Sequence, residues 1–115
     1  MTQPITPAEV EAELARLADR LEQKSDELAG LLRAAAEADV AYRLAHARAT
    51  LQAEGDTVAD REAEATLAVE AELTERKTTE AVADACRETV RSLRDQLRAV
   101  QSVNANVRFQ AGLGS

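Results

Sequence analysis

The chain has 115 residues, a formal net charge of −7 and 2% aromatic residues, with no Trp, one Tyr (Tyr42) and one Phe (Phe109). So little aromatic bulk rules out a thick globular core, and the acidic balance disfavours non-specific attachment to a phosphate backbone. Ala, Leu, Glu and Arg dominate and 30% of residues are charged, the profile of long helices or a coiled coil.

The expected class is all-α: the only prolines, Pro4 and Pro7, stand at the start, and no run alternates polarity at the period of a strand. The first helix signal is "TPAE" at 6–9. Thr6 suits the N-cap, Pro7 the first helical position, and Glu9 completes a capping box with Thr6. Nothing stronger than Gly30 interrupts the pattern before Gly55, and one internal glycine costs only about 1 kcal/mol. The first helix is therefore expected over about 7–54, with a bend allowed near Gly30.

Gly55 falls where a left-handed C′ residue belongs, so Gly55, Asp56 and Thr57 are the expected hinge. Thr57 then caps a second helix over about 58–106, with Asp60, Glu62 and Glu64 near its positive end. Each helix would span roughly 70 Å. Residues 1–108 read as one helical-hairpin domain and 109–115 as a flexible tail holding Phe109, Gly112 and Gly114.

A seam at steps of three and four supports the hairpin. On the first helix it runs through Val10, Leu14, Leu17, Leu21, Leu28, Leu31, Ala35, Ala38, Tyr42, Ala45 and Ala49, with Lys24 in one gap. On the second it runs through Val69, Thr79, Ala83, Cys86, Val90, Leu93, Leu97, Val100, Asn104 and Val107. Folding at Gly55 sets opposite each other residues whose numbers sum to about 111. Leu14 then faces Leu97, Leu21 faces Val90, Leu28 faces Ala83, Tyr42 faces Val69, and Leu44 lies opposite Leu67. Val40, Leu44, Ala47 and Leu51 form a second apolar row, and Leu32, Leu67, Leu73 and Val103 also lie off the seam. A lone hairpin would leave these wet, which predicts a homodimer or higher bundle.

Arg87, Arg91, Arg94 and Arg98 form a basic stripe, whereas Glu54 to Asp84 holds ten acids against Arg61, Arg76 and Lys77. The stripe is a candidate partner surface for nucleic acid or an acidic protein. The plainer reading is ion pairing with Glu9, Glu11, Glu13, Asp19, Glu22, Asp26 and Glu27 of the first helix or a second subunit, and it ranks higher. No aromatic residues interleave the arginines, which weakens single-strand stacking. His46, flanked by Arg43 and Arg48, has no second His, no Cys and no paired carboxylate at ligand spacing. Cys86 at a seam position reads as a small buried apolar residue, with a cross-subunit disulfide as the rarer alternative. Asn104 among valines either fixes register or marks a helix already fraying. No phosphate-binding loop, nucleophile elbow or zinc spacing is present. The expectation is no enzyme, no catalytic residue, no cofactor and no metal.

The stretch "AYRLAHARATLQAEGDTVADREAEA" resembles small helical proteins of tailed bacteriophages, often encoded near single-strand-binding and recombination genes. The likeness rests on Tyr42, Ala45, Ala47, Glu54, Gly55, Thr57, Arg61, Ala63 and Ala65, with Asp56 intruding between Gly and Thr. It covers about 25 residues and implies phage or prophage origin and residence in the host cytoplasm. The Trp-x-Gly turn of secreted bacterial hairpin proteins is not matched, since the turn reads "AEGD". No secretory signal or apolar span is seen, so no membrane partner is expected. The leading expectation is a non-enzymatic adaptor or modulator whose partners are itself and another protein. A recombination accessory touching DNA through the arginine stripe follows, then an acidic inhibitor of a host nuclease or defence protein.

Overall fold

The computed structural model describes residues 6–113. They form three helices, α1 (Pro7–Gln52), α2 (Val58–Ala68) and α3 (Glu70–Leu113), and no strand is found among the described residues.

Local chemistry starts α1. Thr6 N–H donates to Glu9 Oε2 at 3.3 Å, and Glu9 N–H donates to Thr6 Oγ1 at 3.2 Å, a closed capping box. The helix passes unbroken through Gly30, where an added Cβ would meet nothing within 4 Å.

α1 stops at Gln52, two residues before the expected end at 54, because the next amides have another acceptor. Glu54 N–H and Gly55 N–H both donate to Glu64 Oε2, at 3.0 and 3.2 Å, rather than to carbonyls of their own helix. The expected left-handed glycine is not found: no described residue has a positive φ. Gly55 is needed for space instead, since a Cβ there would lie 2.7 Å from Asp60 Cβ and 3.0 Å from Arg61 N. Arg61 Nη1 donates to the Gly55 carbonyl at 3.0 Å, and Thr57 Oγ1 accepts from Asp60 N–H at 3.0 Å as the α2 N-cap.

The expected single second helix is two helices. Val69, with φ −114° and ψ 29°, separates α2 from α3, and its N–H donates to Thr66 O in a tighter turn. α3 then continues through Leu113, where the sequence suggested an end near 106 and a tail from 109. Residues 109–111 are Phe, Gln and Ala, none a helix breaker, and Gly112 alone is too weak a one. Gly114, also assigned to the tail, lies outside the described residues.

The chain divides into two compact units, Met1–Glu27 with Cys86–Ser115, and Leu28–Ala85. In a helix pair each residue touches only its own turn and the residues facing it, so contacts group by segment. The first unit buries Val10, Leu17, Cys86, Val90 and Leu93. Its helices run in opposite directions: Cys86 Sγ lies 3.6 Å from Lys24 O, and Arg108 Nη2 lies 3.5 Å from Glu11 Oε1. The second unit is a helical hairpin closed by residues 53–57, with Ala38, Ala65, Val69 and Ala83 as its core. Small side chains there allow close helix approach, while Leu and Val in the first unit bury more area per residue. No polar side chain of the described residues is fully buried.

Candidate functional site

The seam residues divide into those that are fully and those that are partly enclosed. Leu17, Val90 and Leu93 are buried. Leu14, Leu21, Leu28, Leu31, Tyr42, Leu97, Val100 and Asn104 are half-buried. Asn104 Oδ1 is enclosed without a hydrogen-bond partner, and α3 continues past it. Gly55 is half-buried in the loop, with Asp56 and Thr57 exposed.

In the hairpin unit the helices assemble a charged cluster on one flank. Asp39 on α1 and Arg76 on α3 meet at 2.9 Å between Oδ1 and Nε. Arg43 Nε approaches the other Asp39 oxygen at 3.0 Å, and Glu80 Oε1 lies 3.4 Å from Arg76 Nε. The Arg76 guanidinium also sits over the Tyr42 ring, 5.0 Å from its centroid, a cation–π distance. The 2.9 Å contact is an ion pair without hydrogen-bond alignment, so both enclosed atoms lack a directional partner.

His46 lies beside Tyr42, ring centroids 5.8 Å apart. Glu62 Oε1 of α2 comes within 3.2 Å of its Nε2, again off hydrogen-bond alignment. The three carboxylates expected to complement the α2 terminus thus part company. Glu64 binds the loop amides, Glu62 reaches His46, and Asp60 supplies the capped amide. No group of three or more His, Cys, Asp or Glu among the described residues is placed to hold a metal ion.

Apolar side chains cover another part of the hairpin unit. Val40 is 55% exposed, Leu44 52%, Leu51 87%, Val58 75% and Leu67 75%. Leu44 and Leu67, expected to face each other, are therefore both in solvent. Along α1, Ala36, Glu37, Val40, Ala41 and Leu44 line an open concavity of about 460 Å³.

The arginine stripe lies on α3, with Arg87, Arg91, Arg94 and Arg98 all exposed. Two of its arginines pair within α3: Arg91 meets Glu88 at 2.7 Å and Arg98 meets Asp95 at 3.8 Å. Arg108, beyond the stripe, reaches Glu11 of α1 at 3.5 Å. Surrounding acids neutralise the stripe, since the unit that holds it has nine acids and eight bases. The hairpin unit has twelve acids and six bases.

No protein-family model, curated protein or solved structure matches this chain. No helix among the described residues is long and apolar enough to cross a membrane.

Asp39, Arg76 and the His46–Glu62 contact were missed in the sequence. One signal was present: Arg76 stands seven residues after Val69 and seven before Ala83, on the seam itself. A charge at such a position calls for a partner on the facing helix.

Proposed function

We propose that the chain is a non-enzymatic interaction protein of phage type, a helical hairpin that associates with itself and acts as adaptor or modulator for a protein partner in the host cytoplasm. The observation that carries the reading is the set of large apolar side chains left in solvent on the hairpin unit, Val40, Leu44, Leu51, Val58 and Leu67. Val40 and Leu44 share one open concavity on α1, and exposed apolar surface of this kind on a small protein is most simply accounted for by a partner that covers it. The likeness of residues 41–65 to phage hairpin proteins supports the setting. Light scattering over a concentration series tests self-association, and affinity capture from host lysate with mass spectrometry tests the second partner. A particle of 12.4 kDa at every concentration, with no protein retained, would sink the reading.

The acidic hairpin unit supports a second reading, inhibition of a nucleic-acid-binding host protein by charge mimicry. Capture of a nuclease that salt releases would favour it; capture indifferent to salt would count against it.

A further inference from the structure

We propose that a second copy of this chain docks antiparallel on the α1 face of the hairpin unit, about a two-fold axis between Val40 and Leu44, with Glu37 of each copy meeting the partner's Arg48. The inference rests on the self-association proposed above and names its surface and register.

Val40, Leu44, Ala47 and Leu51 recur at steps of four, three and four on α1. That is the spacing of a helix seam, on the side turned away from the buried Ala38. Ala36, Ala41 and Ala47 are exposed beside the larger residues, which permits close approach of a second helix. The open concavity around Val40 and Leu44 is a hole of the kind that receives a facing side chain.

Charge selects the occupant. Glu37 and Arg48 are exposed, flank Val40 and Leu44, and form no ion pair among the described residues. Eleven residues apart on one helix, they are separated by about 16 Å and cannot meet within the chain. The two-fold axis brings together residues whose numbers sum to about 84. Val40 then faces Leu44, Ala36 faces Ala47, and Glu37 reaches Arg48, each twice by symmetry. A parallel arrangement would instead leave Glu37 and Arg48 at levels about 16 Å apart, where they could not meet. The α1 part of the unit has three arginines and two acids, so this face avoids joining the acid-rich α2–α3 surfaces. An unrelated partner would not reproduce the reciprocal charge pair.

Sedimentation equilibrium on the full chain tests the register. Glu37→Arg and Arg48→Glu each place like charges opposite twice and should weaken the dimer by about tenfold. The double variant should recover wild-type affinity to within about twofold. Circular dichroism should show unchanged helix in all three, since both sites are exposed. A dimer indifferent to the single changes, or a double variant no tighter than the singles, overturns this face while leaving self-association standing. A monomer at every concentration overturns both. Independently, mixing Val40→Cys and Leu44→Cys chains, each with Cys86→Ala, should give a mixed disulfide on oxidation in preference to either homodimer. Its absence from a dimeric sample also overturns the register.

Discussion

Replacing Gly55 with Ala would force a Cβ to within 2.7 Å of Asp60 Cβ, at the first turn of α2. Backbone must shift to make room, at a cost of about 1–3 kcal/mol, expected as a lower denaturant midpoint. Gly30→Ala acts in the opposite direction. That glycine is exposed inside α1 with nothing near its Cβ direction, so alanine should raise stability by about 0.5–1 kcal/mol; thermal melting separates the two variants. The Glu13 carboxyl is held below its ordinary value of 4.5, first through its hydrogen bond from Arg16. The stabilisation it brings is present above that ordinary value and is lost as pH falls through the lower folded value. An NMR titration should find Glu13 titrating low, and Arg16→Ala should return it to the usual glutamate range. The Thr6–Glu9 box and the Thr57 cap could be anticipated because capping involves atoms three residues apart. The meeting of Asp39 with Arg76 could not, since their separation in sequence says nothing about facing positions.

Helix faces decide what a leucine does. Leu17 is 1% exposed and Leu51 is 87% exposed, both on α1. Leu17→Ala should cost about 2–5 kcal/mol through lost burial and a residual cavity. Leu51→Ala should change the stability of the isolated chain by less than about 0.5 kcal/mol. Chemical denaturation at a dilution where the chain is monomeric makes the comparison. The α2–α3 break follows from the same competition between local and facing contacts. No glycine or proline marks residue 69, yet Val69 leaves helical geometry while keeping its side chain 4% exposed. Past it the seam turns polar, with Glu72, Arg76 and Thr79 half-buried in place of apolar residues.

Charge acts on the molecule as a whole. Most of the net −7 lies in the hairpin unit, with its twelve acids and six bases. Screening shortens the reach of this repulsion to about 10 Å at 0.1 M salt. The melting temperature should therefore rise by a few degrees between about 0.01 and 0.1 M sodium chloride. A fall would mean that attractive contacts such as Asp39–Arg76 outweigh the repulsion.

The class, the helix starts and the buried stripe on α1 are written in the chain, because periodicity and capping act over one or two turns. Val10, Leu17 and Ala38 are readable as inward-facing from spacing alone. Where α1 stops, why residue 55 is glycine, where the second helix breaks and which charges meet depend on atoms brought together from the two sides of the loop. Glu64 takes the amides that would have extended α1, and Asp60 occupies the space a Cβ at 55 would need. Such contacts exist once the helices have packed, and spacing along one helix carries no record of them.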